Sequence, residues 1–214
     1  MEKIGDMMTR FWSFAVPAVL VATVSLTFPG CASRPDVAKQ FERYAKASKE
    51  HDLATLEALT AEDIVWQLGP YKLEGKKEVL GPNAYDAGVE NQLTYRNPRI
   101  EGNVVEFELI ETNEIIQAVG MTEVRHYGRF EFENGQLKRK LGAWKAPPPE
   151  YSMAELNRRK VPLRRWIRET HPEAMQELLD SEGNFVFTRD NGALMLSLTR
   201  EWVAAGAPGR LTTE

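Results

Sequence analysis

Residues 93–144 alternate apolar and polar side chains over four stretches, 93–99, 104–112, 122–133 and 137–144. Gly102-Asn103 and Asn134-Gly135, pairs that close tight hairpins, divide the first stretch from the second and the third from the fourth. Period-two patterning broken by short turns predicts neighbouring antiparallel strands with one face on a core and one toward solvent. The chain has a single cysteine, Cys31, so no internal disulfide can staple this sheet, and the core must hold it by packing alone.

Upstream the period changes. Val37, Phe41, Tyr44, Ala45 and Ser48 recur at helical spacing behind Asp36, a residue suited to cap the first amides. Asp52 with Leu53, Leu56 and Leu59 predicts a second, shorter helix ending near Thr60. Residues 64–68 then read as a strand, turned by Gly69-Pro70. Gly75 opens a third helical stretch with Val79 and Leu80, in which Pro82 either kinks the helix or starts a new one near Tyr85. Asn113 stands where a cap belongs, before apolar Ile115, Ile116 and Val119 and a terminating Gly120, so residues 113–120 are expected to form one or two helical turns.

Pro147-Pro148-Pro149 is a stiff boundary. Beyond it Pro162 and Pro172 mark helix starts, Gly183 a helix end, and Leu194, Leu198, Trp202 and Val203 an apolar stripe. Asn191-Gly192 is also a hairpin signal, but the pattern continues unbroken to Ala205, which favours a helix. The basic cluster Arg158, Arg159, Lys160, Arg164, Arg165 and Arg168 reads as the solvated face of a helix packing through Val161, Trp166 and Ile167, with contact to acidic lipid head groups as the alternative.

At the N-terminus, residues 11–28 carry no charge, and Cys31 follows in Thr27-Phe28-Pro29-Gly30-Cys31-Ala32-Ser33. This segment resembles a bacterial lipoprotein signal, which implies lipidation of Cys31. An uncleaved anchor, or an ordinary signal cut after Ser33, are the other readings, and all three export the body. Ala32-Ser33 lacks the aspartate that retains many lipoproteins at the inner membrane, so the expected place is the periplasm-facing envelope, at the outer membrane rather than the inner. The formal charge of −4 argues against a nucleic-acid partner. The expected division is a signal or anchor at 1–30, a tether at 31–35, one domain at 36–146, a helical extension at 147–206 and a flexible tail at 207–214.

The order of helix, helix, strand, glycine-led helix and long strands resembles the nuclear-transport-factor-two-like superfamily, which includes SnoaL-like polyketide cyclases and ketosteroid isomerases. The residues that carry the resemblance are Phe41-Glu42-Arg43-Tyr44, Trp66, Leu73-Glu74-Gly75 and the stretch from Gly128 to Leu137. It implies an α+β fold, a cone-shaped curved antiparallel sheet packed around the N-terminal helices, with a pocket in its wide end and homodimers through its outer face. The C-terminal helical extension lies outside that core.

Strand alternation places Val105, Phe107, Leu109 and Glu111 on one inward face and Val124, His126, Gly128, Phe130 and Phe132 on the next. Arg139 joins them unless a bulge shifts its strand. Glu111 and His126 are thus candidate acid and base, Arg139 a candidate oxyanion holder, and Trp66, Tyr85 and Asn113 candidate ligand contacts. The bland alternative makes Glu111 a strand end, His126 a core histidine and Arg139 a residue that reaches solvent. His51, His126 and His171 stand singly, without metal-ligand spacing, and no phosphate loop or nucleophile elbow occurs, so neither metal nor cofactor is expected. A module binding a small, mainly apolar ligand ranks first. An enzyme of isomerase, cyclase or dehydratase type and an envelope assembly domain are the alternatives.

Overall fold

The computed structural model describes residues 36–68, 71–142 and 145–211. The expected signal, the tether with Cys31, the Gly69-Pro70 turn, Trp144 and the last three residues lie outside these.

Helix α1 (Val37–Lys49) starts where Asp36 Oδ1 accepts from the amides of Ala38 and Lys39, at 3.1 and 3.4 Å. Asp52 caps α2 (Leu53–Leu59) by accepting from the Thr55 amide at 3.0 Å. The chain passes directly into β1 (Thr60–Leu68), four residues earlier than the alternation at 64–68 suggests. A short strand that periodicity does not reveal, β2 (Tyr71–Glu74), folds back on β1. Helix α3 (Lys76–Gly88) runs through Pro82 rather than ending there.

Strands β3 (Gln92–Glu101) and β4 (Val104–Thr112), helix α4 (Glu114–Ala118), and strands β5 (Val124–Glu133) and β6 (Gln136–Leu141) follow. The six-stranded sheet has the order β2-β1-β6-β5-β4-β3. Its pairs are antiparallel except β1 with β6, which run parallel because the chain returns to β1's edge only after the whole β3–β5 meander. Asn134 and Gly135 both have positive φ, 50° and 87°, as the tightest hairpin turn requires, and so fix the β5–β6 register at its closed end.

That register then slips. Phe132 faces Leu137, but Glu131 faces Arg139, so Lys138 is the extra residue of a bulge. Past it the inward positions move by one. Lys140, opposite Phe130, is 5% exposed, while the Arg139 side chain is 59% exposed and lies 3.6 Å from Glu131. The expected inward Arg139 is therefore outside, and the bulge is the reason.

The concave face of the sheet and helices α1–α3 enclose an apolar cluster of Phe41, Tyr44, Leu56, Ile64, Phe107 and Phe130. The Phe107 and Phe130 rings meet edge to face at 4.6 Å.

The extension consists of a 3₁₀ turn (Pro149–Tyr151) and helices α5 (Met153–Arg159), α6 (Val161–Thr170), α7 (Pro172–Leu178) and α8 (Arg189–Ala204). Its Leu156, Leu163, Ile167 and Trp202 share a second buried cluster with Ile116, Val119 and Val124 of the body. Val161, expected to pack, is 54% exposed, as the first residue of α6 on its outer side, directly before Pro162. Three of the six basic residues are paired along their own helices: Arg158 and Arg159 hold Glu155, and Arg165 holds Glu169. None of the helices in the described residues is long and apolar enough to cross a membrane.

Asn191-Gly192 lies inside α8 and makes no hairpin. Asn191 Nδ2 donates to the carbonyls of Glu177 and Val186, at 3.1 and 2.8 Å, tying the α7–α8 loop. Gly192 meets Gly88 of α3 so closely that a Cβ at Gly88 would stand 2.1 Å from the Arg189 carbonyl oxygen. One at Gly192 would stand 2.5 Å from the Tyr85 carbonyl oxygen. The extension docks because both helices present bare backbone at their crossing.

Candidate functional site

Strand pairing brings Glu111 and His126 onto the same concave face, since Leu109 pairs with His126 and Glu111 with Val124. Glu111 Oε1 lies 3.3 Å from His126 Nε2, with 19% and 26% of the two side chains exposed. The contact is close enough for an ion pair but poorly directed for a hydrogen bond, and among the described residues Nε2 is a buried atom without an aligned partner.

Three side chains that the alternation could not place complete the group. Asp86 stands on the last turn of α3, and Asn91 follows in the loop before β3. Asn91, 2% exposed, donates through Nδ2 to Asp86 Oδ1 at 3.0 Å and to Glu111 Oε2 at 3.3 Å. Its own Oδ1 accepts from Asn113 Nδ2 at 3.1 Å, and Asn113 Oδ1 in turn accepts from the Ile116 amide at 2.9 Å. Asn113 thus caps α4, as its position suggests, and also anchors Asn91.

The third is Lys140. Its Nζ donates to Asn83 Oδ1 at 3.1 Å and lies 4.9 Å from the Trp66 ring centre, 5.3 Å from that of Tyr44 and 5.9 Å from that of Phe130. Trp66 therefore shares the concave interior with Lys140. Tyr85 does not line it: its ring packs edge on against Phe185 and Phe187 of the extension, at 5.4 and 5.7 Å. Neighbouring helix positions differ by about 100° in direction, so Asp86 turns inward where Tyr85 turns away.

The charges are strongly interdependent. Burial and the nearby Glu111 push the Asp86 carboxyl up to about 8, against the Asn91 hydrogen bond and the positive charges of Lys140 and His126. Burial also works to raise Glu111, but attraction to His126, the Asn91 hydrogen bond and the charge of Lys160 outweigh it and hold the carboxyl below its ordinary value. Burial works to lower His126, and the charges of Glu111 and Asp86 overcome it, leaving the imidazole more basic than usual. Burial pulls the Lys140 ammonium down to about 7 despite Asp86, and Lys160, from the extension, down to about 8. The group can therefore hold, give or take protons near neutrality. Among the described residues no cluster of His, Cys, Asp and Glu suits a metal.

The sheet order, the helices against the concave face and the hairpin meander make an α+β fold, the architecture that the resemblance to the nuclear-transport-factor-two-like superfamily implies. No family model matches the sequence, and neither does any curated protein. Among solved structures, the chain is similar to a LEH-like epoxide hydrolase of M. tuberculosis, at 16% identity over 61% of this chain and 96% of that one, TM-score 0.44. It is also similar to an NTF2-like protein of unknown function from Cytophaga hutchinsonii, at 10% identity over 50% and 87%, TM-score 0.42. A de novo designed protein with a curved β-sheet is a third, at 17% identity over 57% and 93%, TM-score 0.42.

Proposed function

We propose that this chain is an exported domain, tethered to the cell envelope through a lipid on Cys31, that binds a small and mainly apolar molecule on the concave face of its sheet. The observation that carries the binding reading is His126 Nε2, a buried polar atom without an aligned partner among the described residues, facing Glu111 on the concave face. Buried polar atoms are nearly always paired, so an unpaired one inside a concave face invites a ligand group to complete it. The neighbouring aromatic rings supply the apolar wall.

Adding a small apolar ligand with one hydrogen-bonding group should shift the His126 ring resonances. Glu111→Gln removes the carboxylate charge and leaves burial in place, so the midpoint of His126 titration should move to lower pH, measured by NMR with His126→Gln as the assignment control. An unchanged midpoint would show that the two groups do not couple. The envelope part is tested separately. Cys31→Ser should abolish incorporation of a labelled fatty acid and release the protein from the membrane fraction, and persistence of the label would assign the tether elsewhere.

A second reading, an enzyme in which His126 and Glu111 act as base and acid, is favoured by the arrangement around them: Asn91 links Glu111 to Asp86, and burial, which holds Asp86 up to about 8 and Lys140 down to about 7, suits both to proton exchange near neutral pH.

A further inference from the structure

Lys140 is the one site group that neither the fold nor the His126–Glu111 pair accounts for. An ammonium has three hydrogens to donate, yet Lys140 Nζ makes a single hydrogen bond among the described residues, to the amide oxygen of Asn83, and no carboxylate lies within ion-pair distance of it. Tyr44 shares the same acceptor, with its hydroxyl 3.5 Å from Asn83 Oδ1. The other contacts of Nζ are the ring faces of Trp66, Tyr44 and Phe130. For a permanent cation this is a poor setting, since burial with one neutral acceptor leaves most of its solvation unreplaced. For a neutral amine, which needs far less solvation, it is a good one.

We infer that Lys140 is a nucleophilic amine that forms an imine with a small carbonyl compound, an aldehyde or ketone with an apolar body, bound between Trp66 and the His126–Glu111 pair. This rests on the concave face being a ligand site, and it narrows the ligand to a carbonyl compound. Burial that pulls the ammonium down to about 7 leaves a large fraction of the amine neutral at neutral pH, where an exposed lysine is almost wholly protonated.

The step balances without any redox partner. The nitrogen lone pair attacks the carbonyl carbon and the C=O π pair moves to oxygen. That oxygen gains a proton and the nitrogen loses one, giving a carbinolamine. A second proton reaches the hydroxyl, the C–O bond breaks, water leaves, and the nitrogen's remaining proton departs to give the neutral imine. Asp86 is placed to shuttle these protons. It lies three residues after Asn83 on α3, hence on the same helix face, and near enough for its ionised form to act on Lys140. Burial and Glu111 keep its carboxyl protonated to about pH 8, so it can donate as well as accept.

The test is reductive trapping on the full chain at pH 7, with benzaldehyde or cyclohexanone as probe and cyanoborohydride as hydride donor. The imine nitrogen takes a proton from solvent, the hydride adds to the carbon of that iminium, and a stable secondary amine remains, located by peptide mass mapping. Lys140 should be modified at least about tenfold faster than Lys39, Lys46 and Lys72, whose side chains are 79%, 73% and 50% exposed, because only a neutral amine has the lone pair that attacks a carbonyl. Lys140→Met should remove the fast adduct, and Asp86→Asn should slow it with Lys140 intact. The wild-type map alone decides the matter if Lys140→Met fails to fold. Probes that shift the His126 resonances yet label Lys140 no faster than the exposed lysines would overturn the imine and leave the binding site standing. Probes that neither bind nor label would overturn both.

Discussion

Replacing Gly88 or Gly192 with alanine should destabilise the protein by roughly 2–4 kcal/mol, although alanine is the better helix former by about 1 kcal/mol. The new methyl group would meet backbone: the Arg189 carbonyl oxygen at 2.1 Å in one case, the Tyr85 carbonyl oxygen at 2.5 Å in the other. No rotamer change can relieve such a contact. Helices α3 and α8 must separate along their length, and the packing of Met195, Leu198 and Trp202 loosens with them. Once the helices have moved apart, the second substitution should cost less than the first, so the double variant should fall short of the sum of the single ones. Ser197→Ala, on the exposed side of α8, should leave stability unchanged or slightly raised. Urea denaturation measures each value, and protease sensitivity between residues 147 and 206 reports whether the extension has come loose. Single substitutions as stable as the parent would show that the crossing is looser than the contacts describe.

The second large effect is in pH. In the folded chain burial and Glu111 push the Asp86 carboxyl up to about 8, whereas in the unfolded chain it ionises near the ordinary carboxylate value of about 4. Between these two values the folded state holds a proton that the unfolded state has released. Stability therefore falls as pH rises through that window, and above 8 the full cost of the buried charge is present. Asp86→Asn preserves an oxygen that can accept from Asn91 and removes the ionisation. Relative to the parent, it should gain roughly 4 kcal/mol in stability between pH 5 and pH 9, read from denaturation midpoints across that range. Lys140 contributes in the opposite sense: its depressed ammonium makes stability rise from about pH 7 toward the ordinary lysine value. The comparison of variant with parent, rather than the shape of either curve, therefore isolates Asp86. Identical pH slopes in the two proteins would mean that Asp86 ionises as freely in the folded state as in the unfolded one.

Local rules carried much of this protein. Asp36, Asp52 and Asn113 cap the helices their positions predict, because a cap bonds an amide two or three residues away in the same segment. Asn134-Gly135 makes its hairpin for the same reason, and period-two alternation was enough to bring Glu111 and His126 face to face across paired strands. These are properties of short stretches of chain, and the amino-acid order determines them before any distant partner is chosen. Tertiary structure decided the rest. The bulge at Lys138 depends on how β6 meets both β5 and β1, so only the assembled sheet shows that Lys140 replaces Arg139 inside. Asp86 and Asn91 reach Glu111 from a helix end and a loop that obey no strand period, and only the packing of α3 on the sheet aims them there. Gly192 reads locally as half of a hairpin signal. It became a helix contact because Gly88, 104 residues earlier, offers bare backbone at the one place where α8 can cover its apolar stripe.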